Sequence, residues 1–310
     1  MPAPNKLLII TALLILSLLA CSFPLQVAVM MESPTPDYTV TAIIQQVTQQ
    51  SKDREATANA PTPVPTETMM PPPPPPPPTA TPPPLPTATT VVYPQRPGGV
   101  FTAAPFAPTI DGSFSEWTAP EYPVTSLNAQ IGSTYWSGAN DLSGKFRAAW
   151  DMQNLYIAVT VVDDIYAQRA TQGNIYLGDS VEIQLDADLY GDFYVNYLTN
   201  DDYQLGISPG YVNTNGAKEA YLYYPSSIQG SRPQINIASV KTAEGYLLEA
   251  AIPWAVFGVV PSSGARYGFA LSISDNDSAT KNLQQSFVSS TPGRKLLNPT
   301  TWSELLLKAP

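Results

Sequence analysis

The chain has 310 residues, a formal net charge of −10, one cysteine and no histidine. The missing histidine excludes Ser-His-Asp and Cys-His catalysis and any His-ligated metal. Cys21 alone leaves no intrachain disulfide, so a bound metal must be oxygen-held, as Ca²⁺ or Mg²⁺. From Phe101 onward, 11 Lys/Arg face 20 Asp/Glu, a net charge of −9 that repels phosphate backbones and excludes nucleic acid as a partner.

Residues 1–20 carry a single Lys6, an apolar block from Leu7 to Leu19 and then Ala20, the pattern of a secretory signal peptide. The block is short for a membrane span of roughly 20 residues. Leu18-Leu19-Ala20-Cys21 resembles the bacterial lipobox, which predicts lipidation at Cys21 and a protein held on the extracellular face of the cell membrane. Residues 21–60 form a short lead-in, in which Val40, Ile43, Ile44 and Val47 fall on one face of a helix. Residues 61–100 are rich in Pro and Thr, with 17 of the chain's 34 prolines between Pro61 and Pro97. Proline lacks an N–H and its neighbours here bury little, so this segment predicts a disordered, polyproline-like stalk and no core. At ~3.1 Å per residue it reaches on the order of 100 Å when extended.

From residue 101 to 310 the text becomes strands and turns. Gly144–Trp150 predicts a strand, and Leu155–Val162, apolar on both faces, predicts a central one. In Ser180–Asp186 the apolar Val181, Ile183 and Leu185 alternate with Glu182, Gln184 and Asp186, giving one oily face and one polar face for solvent or a ligand. Phe193–Leu198 alternates as well and predicts the next strand. Tyr203–Ile207, Ala220–Tyr224, Ile235–Lys241, Gly245–Ile252, Tyr267–Ser274 and Leu305–Leu307 follow, with a helical turn at Pro253–Gly258. In Tyr267–Ser274 one face is kept slim. Short strands with almost no helical period indicate an all-β domain, an antiparallel β-sandwich of jelly-roll or immunoglobulin-like type. Trp117, Trp150 and Trp254 sit within or beside apolar strands and belong to its core.

Two acidic turns are candidates for a structural Ca²⁺: Asp186, Asp188 and Asp192 in one, and Asp275-Asn276-Asp277 in the other. No catalytic constellation is visible. A glycosidase pair made of Asp179 and Glu182 would need carboxyls roughly 5–5.5 Å apart, and their opposite strand parity points them to opposite faces. A haem-binding reading lacks axial ligands, since the folded part offers no His and only Met152.

Five stretches in order resemble the family 9 carbohydrate-binding modules. They are Ile110-Asp-Gly…Trp117, Ala149-Trp-Asp…Val159, Gly178–Asp186, Gly245–Trp254 and Gly268–Asp275, together covering about 200 residues. The resemblance implies a β-sandwich that grips a poly- or oligosaccharide between aromatic rings, with polar side chains on the hydroxyls and Ca²⁺ in a structural role, but no required cofactor. It places one sandwiching aromatic at Tyr176, a sugar-binding glutamate at Glu182 and an asparagine at Asn196, with Tyr194 where the family has arginine. The second sandwiching ring is expected between 287 and 302, where Leu296 aligns and Phe287 and Trp302 are off-register candidates. The expected protein is a monomeric surface lipoprotein that supports glycan capture or degradation by partner enzymes. The alternative is a stalked structural or interaction domain with a degenerate sugar site.

Overall fold

In a computed structural model the chain is described over residues 93–310, apart from 129–130 and 132–133. The expected signal peptide, Cys21, the lead-in and residues 61–92 of the stalk lie outside the described residues. Fourteen strands are described. The first seven are β1 (Val100–Pro105), β2 (Tyr122–Val124), β3 (Ser126–Leu127), β4 (Leu142–Trp150), β5 (Asn154–Asp163), β6 (Ser180–Asp186) and β7 (Asp202–Ser208). The others are β8 (Glu219–Tyr224), β9 (Gly230–Ser231), β10 (Asn236–Lys241), β11 (Gly245–Pro253), β12 (Arg266–Asp275), β13 (Ser286–Ser289) and β14 (Ser303–Leu307). Short 3₁₀ turns at Gln172–Leu177 and Trp254–Phe257 precede β6 and follow β11.

The strands form one curled sheet in the order β10-β11-β5-β4-β1-β14-β12-β6-β7-β8-β9. Pairing is antiparallel except at β1, which runs parallel to both β4 and β14. The expected β-sandwich is what the chain forms, with a parallel seam at β1 among otherwise antiparallel strands. A parallel pair needs a long crossover, and residues 106–141 supply one between β1 and β4. On either side of the seam the two antiparallel halves turn their apolar faces to one core. Phe146, Ile157, Val159, Leu248 and Ile252 come from one half, and Val181, Ile183, Leu185, Leu205, Phe269 and Leu271 from the other. Each such side chain contributes roughly 1.5–3 kcal/mol on full burial.

The outer face of the β4-β5-β11 half is also covered. Trp117 packs there with Ala149, Tyr156 and Ala158. Its indole Nε1 donates to Oε1 of the fully buried Glu249 at 2.6 Å, while the Asp111 and Gly112 amides donate to Oε2 at 3.1 and 2.6 Å. Gly112 takes φ +87°, and a Cβ there would stand 2.5 Å from Val240. The Ile110-Asp-Gly…Trp117 motif is thus a clasp around Glu249 of β11. Trp150 and Trp254 are buried as well, their indoles bonded to the Lys308 and Asp151 carbonyls.

One expected strand is absent. Residues 193–198 form turns and irregular chain between β6 and β7, and the strand beside β6 is β7. The alternation in Phe193–Leu198 comes from a loop in which Phe193 and Leu198 anchor inward and the tyrosines between them point out. The folded part also begins before residue 101. Tyr93 rests on Tyr190 and Phe193, and Arg96 is buried at 4% exposure.

Candidate functional site

The polar face of β6 is built from three adjoining strands. Glu182 stands opposite Ser272 of β12 and Gly206 of β7, and Gln184 stands opposite Ala270 and Gln204. The small residues expected on one side of β12 keep this face low, and Gly206 does the same on β7. A Cβ on Gly206 would come within 2.8 Å of the Tyr223 ring, so that ring lies across the glycine beside Glu182. Tyr176, carried by the 3₁₀ turn ahead of β6, meets Tyr223 edge-on at 5.9 Å and 79°. Arg294 covers the same face from the loop between β13 and β14. It is buried, with its guanidinium 4.7 Å over the Phe287 ring. Gln204 Nε2 donates to the Leu296 carbonyl at 2.7 Å, tying the loop to β7.

This face is therefore roofed, and its electrostatics follow. Burial pushes the Glu182 carboxyl up to about 7, and Arg294 and Gln284 only partly offset the shift. Burial likewise lowers Arg294 to about 10 against the opposing pull of Glu182. Gln284 Nε2 bridges Glu182 Oε1 at 3.5 Å and Ser274 Oγ at 2.7 Å. The Gln184 amide and the Arg294 guanidinium make no hydrogen bond within the protein. A pocket of about 230 Å³ opens beside Arg294, between Leu127, Ser289 and Thr291.

The residues expected to form one sugar site are divided between two places. Tyr176 is 1% exposed and Glu182 4%, both beneath the roof. Trp302, expected as a ring on the far side of the sugar, is fully buried with Leu198, Tyr224 and Ala270, its Nε1 donating to the Lys295 carbonyl. Phe287 is buried too, and Leu296 packs with Tyr176 and Tyr223. Tyr194 and Asn196 instead lie on the open loop before β7, Tyr194 at 71% exposure. The strand positions facing Glu182 and Gln184 belong to Gly206 and Gln204. Sequence reasoning missed Gln204, Arg294 and Tyr223; alternation in Tyr203–Ile207 marks the parity of Gln204, but nothing local marks the other two.

The 190–197 loop gathers rings at the surface. Tyr93 lies 5.0 Å from Tyr190, 4.9 Å from Phe193 and 6.2 Å from Tyr194, and Phe193 meets Tyr194 edge-on at 5.1 Å. Tyr190, Tyr194 and Tyr197 are all exposed. Phe193 is buried beneath them, with the Arg96 guanidinium 4.2 Å from its centroid. The arrangement offers open tyrosine faces fixed from below, the surface on which the C–H face of a pyranose packs.

The expected trio Asp186, Asp188 and Asp192 is not the one the fold assembles. Asp186, Asp192 and Asp201 converge to within 4.8 Å, whereas Asp188 stays on the exposed turn and accepts from the Gly191 amide. Asp186 lies 3.5 Å from Arg96 Nη2, so a guanidinium already supplies positive charge there. Burial and Asp192 still raise Asp186 to about 7 against Arg96. The trio does not fit a Ca²⁺ loop as drawn from the sequence.

The curled sheet closed over one core defines a β-sandwich of the carbohydrate-binding-module fold. The chain belongs to the family described as carbohydrate family 9 binding domain-like, which matches residues 110–309. A structure of a family 9 carbohydrate-binding module from Caldicellulosiruptor kristjanssonii in complex with cellotriose superposes with TM-score 0.51. It is 22% identical, covering 68% of this chain and 94% of that one, and shares the fold. An endo-1,4-beta-xylanase A of Thermoanaerobacterium saccharolyticum is 27% identical over 186 residues, and an exoglucanase XynX of Acetivibrio thermocellus 26% over 190 residues. The matches cover 57% and 59% of this chain but only 13% and 14% of those enzymes.

Proposed function

We propose that this protein captures poly- or oligosaccharide at the bacterial cell surface, through the open tyrosines of the 190–197 loop. The observation that carries the reading is Tyr194, 71% exposed yet fixed against Tyr93 and Phe193, with the exposed Asn196 beside it to meet hydroxyls. Family membership supports the ligand class, and the cellotriose and glucose bound to similar modules make β-glucan fragments the first probes. Lipidation at Cys21 and the proline-rich stalk would hold a monomeric domain away from the membrane, where it presents glycan to degrading enzymes.

A second reading, a stalked structural domain with a degenerate sugar site, draws on the burial of Tyr176, Glu182 and Trp302. Affinity electrophoresis of the full chain through gels cast with soluble polysaccharides separates the two. Retardation that Tyr194→Ala reduces and Glu182→Gln leaves intact is the expected result. Loss in Glu182→Gln alone would move the site to the roofed face, and no retardation in any gel would leave the structural reading. Replacing Cys21 by Ala should release the protein from membranes, and retention would refute the anchor.

A further inference from the structure

The chain just ahead of the family range is built into the tyrosine surface. Tyr93 and Arg96 precede β1 and precede residue 110, where the family match begins. Composition assigns both to the stalk, yet Arg96 is buried and Tyr93 half-buried. A spacer that only sets distance would leave both side chains in solvent.

Tyr93 lies against Tyr190, Phe193 and Tyr194 at once, with centroids 5.0, 4.9 and 6.2 Å away. Its hydroxyl donates to the Tyr190 carbonyl at 3.0 Å, so the backbone of the loop is held as well as its rings. Phe193 also meets Tyr190 and Tyr194, at 6.4 and 5.1 Å, but it belongs to the same loop. Tyr93 is a support brought to these rings from about a hundred residues away in the sequence.

Three residues on, Arg96 fixes where Tyr93 stands. Its guanidinium lies 4.2 Å from the Phe193 centroid, with Nη2 3.5 Å from Asp186 of β6. Its backbone amide donates to Glu304 Oε1 of β14 at 3.2 Å. One residue further, the Pro97 carbonyl accepts from Ser303 Oγ at 3.1 Å, and the Gly99 carbonyl accepts from the Glu304 amide at 3.1 Å. The segment is therefore latched to the loop, to β6 and to β14. Burial lowers the Arg96 pKa against the pull of Asp186, Asp192, Glu304 and Asp202, and its Nε and Nη2 make no hydrogen bond within the protein. Giving up the hydration of a guanidinium is costly, and here the return is a fixed position under Phe193 and beside Tyr93.

We infer, on the glycan reading of the 190–197 loop, that Tyr93, set by Arg96, is a positioning residue of that surface. The end of the stalk completes the platform on which the sugar packs. With the Tyr93 ring in place, Tyr190 and Tyr194 keep one arrangement before ligand arrives, and binding carries less of the cost of ordering them. Affinity for glycan thus depends on residues ahead of the matched domain. Residues 93–96 belong in function to the binding surface and not to the spacer.

The test compares the full chain with Tyr93→Ala, Tyr93→Phe and Arg96→Lys, by amide hydrogen exchange without ligand and by calorimetry with cellotriose. In Tyr93→Ala, exchange across residues 190–197 should rise at least about tenfold while β12 exchanges as in the parent. Cellotriose binding should weaken about 3- to 10-fold in the same variant. Tyr93→Phe keeps the ring and loses only the bond to the Tyr190 carbonyl, so it should bind within about twofold of the parent. Arg96→Lys keeps a charge beside Asp186 without the planar group at Phe193, and should loosen the loop while β12 is unchanged. Unchanged loop exchange in both Tyr93→Ala and Arg96→Lys would overturn the inference. So would faster exchange throughout the domain, the mark of a purely structural role, or cellotriose affinity in Tyr93→Ala equal to that of the parent. Absence of cellotriose binding by the parent would strike the glycan reading alone, and the exchange comparison would still confirm or overturn the hold of Tyr93 on the loop.

Discussion

Glu182→Gln isolates the cost of an ionised carboxylate under the roof. The carboxyl is held near 7 inside the fold against an ordinary value of 4.5, first by burial and then despite Arg294 and Gln284. Below pH 4.5 both folded and unfolded chains carry the proton, and the full stabilisation from the neutral form is present. Between 4.5 and about 7 the folded chain keeps a proton that the unfolded chain has lost, so stability falls as pH rises, by about 1.4 kcal/mol per unit. Above 7 the loss is complete, at about 3 kcal/mol over the interval. A glutamine fills the same volume and does not titrate. The parent should therefore lose about 3 kcal/mol relative to Glu182→Gln between pH 4.5 and 8.5. Urea unfolding of both proteins, in parallel at each pH, gives this difference with the contributions of other carboxyls removed. For a domain of this size the effect corresponds to a relative shift in Tm of roughly 6–12 °C. If the two stability curves stay parallel across that range, Glu182 is solvated and the roof described here is wrong.

Other expectations rest on particular contacts. Glu249→Ala leaves the Trp117 indole and the Asp111 and Gly112 amides without their acceptor, and should cost at least about 3 kcal/mol in denaturant unfolding. A cost below 1 kcal/mol would mean the clasp is solvated. Trp302→Ala should cost about 3–5 kcal/mol as a core truncation, whereas a solvent-facing platform would lose within about 0.5 kcal/mol.

Much of the fold was legible because period-two alternation survives wherever one strand face meets the core. Val181, Ile183 and Leu185 point inward as their parity predicts, and the slim side of β12 does lie on the polar face. Where parity misled, the reason is specific. The even residues of β6 were expected to meet solvent or a ligand, but Tyr223 and Arg294 come from distant segments, with Tyr176 from the turn ahead of the strand, to cover them. No local pattern encodes that coverage. Phe193–Leu198 alternates because a loop can anchor at Phe193 and Leu198 and still turn its tyrosines outward. The parallel seam at β1 was invisible, since Val100–Pro105 carries no mark of the direction of its partners. The acidic turns were visible as composition, but which carboxylates converge depends on the folded path of the chain, which brings Asp201 and not Asp188 to Asp186 and Asp192.

The central claim is that sugar rings pack on the open tyrosines of the 190–197 loop. Calorimetric titration of cellotriose into the full chain and into Tyr194→Ala tests it most directly. The account predicts saturable binding that weakens about 3- to 10-fold in the variant, the worth of one stacked ring, with Tm unchanged. Equal affinity in the two proteins would contradict it.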